Sequence, residues 1–270
     1  MTFRDRRILI TGGSDGIGAE LARQLAREGA RLHLVGRRAD ALAGVAAEAR
    51  DAGAAAVSIS AADLGDPGAN RRALDEGLVA LGGLDVLVHN AGISGHALLE
   101  QVTDLDWYEQ MFRVNVLACV WMTHAALPAL KASRGQLVAV SSLAGLTGVP
   151  GRTAYCASKF GQTGFFEALR VELAPGGIAV TTIYPGVVAT AIRQRGFGPD
   201  GKPLGFSSLD EAGAMSVEDC VRQMLPVIAG RRRELVMTPK GRLARWLKLI
   251  APGLVDHLAR KALSQEAPGH

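Results

Sequence analysis

Tyr155 and Lys159 stand four residues apart in a stretch with helical spacing, which puts both side chains on one helix face. A free phenol titrates near ~10, so a lone tyrosine is a poor base at neutral pH. An ammonium beside it favours the phenolate. The pair can then give a proton to a carbonyl oxygen or take one from an alcohol. Tyr–Lys pairs at this spacing are also common on plain helix surfaces, so the neighbours decide. Ser141-Ser142 ends an apolar run thirteen residues before Tyr155, His89-Asn90-Ala91-Gly92 ends another, and Asn115 lies in the helical pattern that follows. In open parallel sheets ligands bind beyond the carboxyl ends of the strands, where these short motifs should converge.

A second group of residues suits a phosphate. Thr11-Gly12-Gly13-Ser14-Asp15-Gly16-Ile17-Gly18 joins the first apolar run to a helical pattern. Gly12 permits a sharp turn, Gly16 lets the backbone approach a pyrophosphate, and Gly18 lets the helix pack on the strand. The spacing is GxxxGxG rather than the usual GxGxxG, and an ordinary tight turn would also fit. The next apolar run ends in Gly36-Arg37-Arg38, with no carboxylate to take the ribose hydroxyls. A guanidinium fork matches a 2′-phosphate, which favours NADP(H) over NAD(H). Two solvated arginines at a helix start are the plainer alternative. Asp15 puts a negative charge where the added phosphate would sit.

The elements needed to position these groups are legible. Strands are expected at 8–11, 31–35, 56–60, 84–89, 136–141 and 179–184, and helices at 16–29, 39–52, 66–81, 103–131 and 153–174. Strands spaced by helices of this length imply βαβ units, a doubly wound parallel sheet and helices on both faces. After Pro185-Gly186, residues 187–215 are rich in glycine and proline and read as a lid or binding loop. A helix near 217–229 and a short strand at 234–237 follow. Residues 1–238 form one catalytic domain in this reading, and 239–270 form a basic amphipathic extension with a polar tail.

Composition narrows the function classes. Of 270 residues 48% are apolar and 21% charged, which fits a globular chain rather than a disordered or fibrous one. No uninterrupted apolar run reaches the ~18 residues that span a bilayer, and the run after Met1 is too short for a signal-peptide core. Cys119, Cys156 and Cys220 lie far apart, which excludes a disulfide framework and points to a cytoplasmic chain. The six histidines show no HxxxH or HxH spacing, so no metal is expected. Net charge is +4, yet residues 231–261 alone hold nine Lys/Arg against Glu234 and Asp256. The basic character belongs to the extension, and no nucleic-acid motif accompanies it.

Taken in order, TGGSDGIG at 11–18, Asp63, HNAG at 89–92, Asn115, Ser142, the YxxxK of Tyr155 and Lys159, and Pro185-Gly186 with Thr190 resemble a classical short-chain dehydrogenase/reductase. The resemblance spans residues 6 to about 190 and implies a Rossmann-type fold. It implies a catalytic set of Asn115, Ser142, Tyr155 and Lys159. Tyr155 would be the acid/base, and Lys159 would lower its pKa and hold the nicotinamide ribose. Ser142 would orient the substrate oxygen, and Asn115 would hold a water of a proton relay. Cofactor contacts would come from Gly12, Ser14, Asp15, Gly16, Ile17 and Gly18 of the turn and from Arg37 and Arg38. Further contacts would come from Asp63 and Leu64 at the adenine, from Asn90, Ala91 and Gly92, and from Pro185, Gly186, Val188 and Thr190 beside the nicotinamide. It also implies a small-molecule carbonyl/alcohol substrate and a homodimer or homotetramer built on the two long helices. His89 departs from the family's usual asparagine and reads as a packing or hydrogen-bonding variant. NADP-dependent relatives often carry a basic residue in the turn, which Asp15 does not supply.

Around the reacting groups, Leu143, Leu146, Val149, Phe197, Phe206 and Met215 predict an apolar pocket, with Arg152 and Arg193 as anionic handles and His96 as a wall residue or a solvated loop histidine. Cys156 should pack rather than react. In the extension, Leu243, Trp246, Leu247 and Ile250 share a helix face opposite Arg242, Arg245 and Lys248, and Leu254, Val255, Leu258 and Ala262 continue it. Such a face suits peripheral membrane contact through 241–263, or packing on the domain or a partner subunit. The reading is an NADP(H)-dependent oxidoreductase on a hydrophobic substrate. Its rivals are an NAD-linked alcohol dehydrogenase and a membrane-peripheral NADP(H) sensor without turnover.

Overall fold

The computed structural model of the chain describes residues 3–207 and 213–266, the side chains of 262–266 excepted. The expectations for 208–212 of the lid, for the Ala262 side chain and for 267–270 lie outside these. The strands are β1 (Arg7–Thr11), β2 (Arg31–Gly36), β3 (Ala56–Ala61), β4 (Val86–His89), β5 (Gln136–Val140), β6 (Ala179–Tyr184) and β7 (Glu234–Val236). They form one sheet in the order β3-β2-β1-β4-β5-β6-β7, with every neighbouring pair parallel. The register sets Ile10 between Leu34 on one side and Val88 on the other. The strand order reverses between β1 and β4, and a crevice opens at the carboxyl ends there.

Helices cover both faces: α1 (Gly16–Arg27), α2 (Ala39–Asp51) and α7 (Val217–Ala229) on one, α3 (Pro67–Leu81), α5 (Ala118–Ser133) and α6 (Thr153–Leu173) on the other. Side chains alternate along a strand, so Ile8 and Ile10 enter the first layer while Leu9 enters the second. This double burial explains why β1 is apolar up to Thr11. Each fully buried aliphatic chain contributes about 1.5–3 kcal/mol. Caps set the helix starts: Asp66 Oδ1 accepts from Ala69 N at 2.6 Å, and Ser216 Oγ accepts from Asp219 N at 3.0 Å.

Most boundaries shift by a residue or two from expectation, and three shifts bear on the crevice. β4 begins at Val86, because Asp85 is held by Arg7 through Nη2 at 2.7 Å and Nε at 3.1 Å. β5 ends at Val140, which frees Ser141 and Ser142 to turn toward the crevice. The helix expected over 103–131 begins at Asp106 as α4 (Asp106–Phe112), passes through a π-helical turn at Arg113–Leu117, and continues as α5. By composition Asp106–Ser133 is apolar enough to cross a bilayer, at mean hydropathy 1.2; here it lies on the sheet between α3 and α6.

The chain ends in α8 (Pro239–Ile250) and α9 (Pro252–Glu266). α8 attaches by its cationic side. Arg245 Nη1 meets Glu234 Oε1 at 2.6 Å, and Lys248 Nζ donates to Leu146 O at 3.2 Å while lying 4.6 Å from the Phe160 ring centre. The sequence places these cations opposite the apolar face and leaves open which face meets the domain. Leu243, Trp246, Leu249 and Ile250 face solvent, 64%, 62%, 71% and 81% exposed. Domain packing therefore runs through Arg245 and Lys248 of the polar face, and apart from the half-buried Leu247 the apolar face is left uncovered.

Candidate active site

The crevice is a cavity of about 710 Å³, in the range that holds a small-molecule ligand. One end is the glycine turn. Gly12 has φ 67°, and a Cβ there would stand 2.8 Å from Asn90 Nδ2 and 2.9 Å from Ala91 Cα. Gly16 has φ 52° and faces Thr190 at 3.1 Å in the same sense. The turn is pinned from β4: Asn90 Nδ2 donates to Thr11 O at 3.0 Å and Gly12 O at 3.2 Å, and Thr11 Oγ1 accepts from Asn90 N and Ala91 N. Any side chain at 12 or 16 would fill the cradle, so these residues fit a dinucleotide pyrophosphate at the start of α1.

The cavity wall holds Gly12, Ser14, Asp15, Gly16, Ile17, Arg37, Arg38, Asp63, Leu64, Asn90, Ala91, Gly92, Ser142, Tyr155, Lys159, Pro185, Gly186, Val188 and Thr190. Two expected residues stand behind it. Gly18 is a packing position whose Cβ would overlap the Gly12 carbonyl. Asn115 is fully buried in the π-helical turn. Its side chain bridges the backbone of Ile93, accepting from N at 2.8 Å and donating to O at 3.0 Å, and also donates to Ser158 Oγ at 3.0 Å. The extra residue of the π turn lets a helix side chain reach the loop after β4.

Tyr155 and Lys159 lie in the first turns of α6, 8% and 3% exposed, with Lys159 Nζ 5.9 Å from the Tyr155 ring centre. Lys159 Nζ donates to Val140 O at 3.1 Å and to Gln162 Oε1 at 3.2 Å. Ser142 Oγ accepts from Ala144 N at 3.2 Å, which fixes its position past β5. Gln162 is the residue that sequence reasoning missed. Its Nε2 donates to Asn115 O at 3.3 Å, so one fully buried amide ties Lys159 to the Asn115 carbonyl. The signal was its spacing, three residues past Lys159 and seven past Tyr155 on one helix face.

The charge of Asp15 has partners. Its Oδ1 caps α1 from Gly16 N at 2.7 Å, while Oδ2 meets Arg195 Nη1 at 2.7 Å and Arg38 Nη2 at 3.2 Å. Burial alone would raise its pKa; the Arg195 contact, the Gly16 N–H and both cations outweigh that and lower it.

The pocket is apolar, but only two of the six expected residues line it. Leu143 and Val149 line the cavity, joined by Ile93, Ala144, Val187, Ala191 and Ile192. Phe197 instead packs 5.7 Å from Trp107, Phe206 is 59% exposed, Met215 packs on the core, and Leu146 offers its carbonyl to Lys248. Loop residues with glycine neighbours cannot be assigned a face from spacing. Arg152 keeps a side in the cavity: it donates to Ser94 Oγ at 3.0 Å, lies 5.0 Å from the Tyr155 ring centre, and has a buried Nε without a hydrogen-bond partner. Arg193 lines the cavity but braces the loop through Val188 O at 2.9 Å and Ser207 Oγ at 3.1 Å. His96 stands outside the cavity against Gly151, its pKa lowered by burial and by Arg152. His89 is buried, 2.9 Å from Thr123 Oγ1, and Cys156 Sγ accepts from Val149 N.

The sequence profile of the family described as short chain dehydrogenase matches residues 6–197. Dehydrogenase/reductase SDR family member 7B of Bos taurus is 34% identical over 271 residues, covering 97% of this chain and 83% of the relative. The 11-beta-hydroxysteroid dehydrogenase A of Sesamum indicum is 33% identical over 258 residues, covering 94% and 74%. Among solved structures, an alcohol dehydrogenase from the archaeon Thermococcus sibiricus, complexed with 5-hydroxy-NADP, superposes with TM-score 0.74 at 25% identity, covering 85% of this chain and 94% of that one. A short chain dehydrogenase/reductase from Burkholderia phymatum in complex with NAD shares the fold with TM-score 0.82 at 23% identity, covering 94% and 96%. The profile match, the identities and the cradle at the carboxyl ends of the strands agree: the chain belongs to the short-chain dehydrogenase/reductase family of NAD(P)-binding oxidoreductases acting on CH–OH groups.

Proposed function

We propose that the protein is an NADP(H)-dependent oxidoreductase that interconverts a carbonyl and an alcohol on an apolar substrate, with Tyr155 as the acid/base. One observation carries this reading: the buried Tyr155–Lys159 pair faces a single cavity whose far rim holds Arg37 and Arg38 and no carboxylate at the end of β2. The nicotinamide, when bound, supplies or accepts the hydride. The chain's own residues handle the rest. Tyr155 Oη gives its proton to the carbonyl oxygen in reduction and takes it back in oxidation, with the Lys159 Nζ 5.9 Å from its ring centre. Ser142, held by Ala144 N, orients the substrate oxygen. Asn115 and Gln162 hold the ground behind Lys159. Asp63 and Leu64 would face the adenine, and Pro185, Gly186, Val188 and Thr190 the nicotinamide.

The wall of Ile93, Leu143, Val149 and Ile192 supports a hydrophobic ketone or aldehyde, and the Arg152 guanidinium on the same wall supports a polar or anionic group on it. The test is oxidation of NADPH and of NADH by the purified protein with apolar ketones, aldehydes and 3-oxoacyl compounds. Turnover faster with NADPH is expected, and Tyr155→Phe should lower kcat about 10²–10⁴-fold. Preference for NADH would overturn the cofactor assignment, and an unchanged Tyr155→Phe would overturn the catalytic one.

Two features support assembly and location. Phe112, Leu117 and Val171, on or beside the long helices, are 37%, 39% and 75% exposed, which suits a homodimer built there. The uncovered face of α8 and α9, with exposed Lys240 and Arg242 beside it and seven net positive charges over 231–261, suits an acidic membrane surface. Residues 1–238 then hold the reacting site of a cytoplasmic enzyme, and the extension over 239–270 makes membrane-peripheral contact through 241–263.

A further inference from the structure

We propose that Arg195 is a third reader of the cofactor's 2′-phosphate, presented by Asp15, so that filling the phosphate site fastens the loop that walls the substrate side. The inference rests on the NADP(H) reading above. Asp15 divides its carboxylate. One oxygen caps α1, and the other gathers two guanidiniums from distant parts of the chain: Arg38 from the end of β2 and Arg195 from the loop after β6. Arg37, Arg38 and Arg195 line the same cavity beside Ser14. The turn carries a carboxylate where a cation would suit a phosphate, yet the three arginines reverse the local sign around it.

A guanidinium carries several N–H groups in a fixed fork, so an ion pair to one carboxylate oxygen leaves donors for a phosphate. Asp15, Arg38 and Arg195 are half-exposed, and exposed pairs add little to stability. Their convergence on one cavity rim is better explained by a ligand charge than by folding.

Arg195 is also mechanically connected. Its N–H donates to Ala191 O at 3.1 Å, next to Thr190 and Ile192 of the cavity wall. Two residues on, Phe197 N donates to Ser94 O at 2.9 Å and His96 N donates to Phe197 O at 2.8 Å. A pull on Arg195 therefore reaches the cofactor side through Thr190 and the substrate side through Ser94. Phosphate at the rim would hold Arg195 from one side while Asp15 holds it from the other.

The test is calorimetric titration of the full chain with 2′,5′-ADP and with 5′-ADP, in the wild type, Arg195→Met and Arg195→Lys. Hydrogen exchange across 187–207 is followed in each. Wild type should bind 2′,5′-ADP at least about tenfold tighter than 5′-ADP, as expected for charge-assisted hydrogen bonds. Arg195→Met should lose about tenfold for 2′,5′-ADP and change less than about twofold for 5′-ADP, with Arg195→Lys between. Amides of the loop should gain protection with 2′,5′-ADP in the wild type only. Equal loss for both ligands, or none for either, would overturn the role of Arg195 while leaving the NADP(H) reading standing. A wild type that binds the two ligands equally would overturn that reading and this inference with it.

Discussion

Gln162 sits between two groups that the chemistry needs in fixed places. It accepts from the Lys159 ammonium at 3.2 Å and donates to Asn115 O at 3.3 Å, fully buried. Gln162→Leu removes a hydrogen bond to a buried charge, worth about 1.5–3 kcal/mol, and should lower kcat about 10- to 100-fold. Because Gln162 lies behind the wall, KM for the cofactor should move much less, and steady-state kinetics separate the two. His89 makes a different prediction. Burial pushes its pKa down to about 3, whereas the unfolded chain takes up that proton near about 6.5. Only the unfolded state binds the proton between these values, so stability is full above about 6.5 and lost as pH falls toward 3, at about 1.4 kcal/mol per pH unit. Urea unfolding at pH 7, 5.5 and 4.5 should show this slope, and His89→Asn should flatten it.

Between elements, the Arg7–Asp85 clamp joins the starts of β1 and β4, the two strands that flank the crevice. Asp85 accepts from the Arg7 backbone N at 2.9 Å as well as from its guanidinium, and Arg7 also donates to Gly82 O at 2.9 Å. Burial would raise the Asp85 pKa, and the Arg7 hydrogen bonds outweigh it and lower it. The carboxylate's stabilisation is therefore present above its unfolded value near about 3.9 and lost as pH falls through the lower folded value, a window below that of His89. Asp85→Asn at neutral pH should cost about 1–3 kcal/mol in denaturant melts, without changing cofactor affinity. The π-helical turn at Arg113–Leu117 works on the same scale. It turns Asn115 onto Ile93 and Ser158, linking the loop after β4 to α6.

Across the whole molecule, the polar attachment of α8 leaves an apolar strip exposed on that helix, and Leu254 and Leu258 of α9 are 49% and 51% exposed. Sedimentation with vesicles containing phosphatidylserine should carry the protein down at low salt, and vesicles of phosphatidylcholine alone should carry down much less. Binding should fall as ionic strength shortens the Debye length to about 8 Å at 0.15 M. Trp246→Ser with Ile250→Ser should abolish binding while leaving turnover of a soluble substrate intact. Failure to bind either vesicle, together with a dimer that dissociates in this double variant, would assign the strip to a second copy of the chain.

Period and punctuation made most of the fold readable. Apolar runs between helical patterns can satisfy backbone and burial together only as a parallel sheet, and glycines at 12 and 16 signal a turn that no side chain could share. Tyr155, Lys159 and Gln162 were within reach because helical spacing is local information. What one-dimensional spacing does not carry is which distant groups meet. Asp15 looked like an obstacle to a phosphate until Arg195, from a loop without periodicity, was seen beside it. Spacing sets Arg245 and Lys248 opposite the apolar face, but not that Glu234 and Phe160 lie against them. The π turn is equally invisible, because its extra residue follows from how Asn115 satisfies buried backbone groups across the crevice. Local patterns specify elements. Charge pairing and the direction a helix faces depend on contacts between residues far apart in the chain, and only folding creates those.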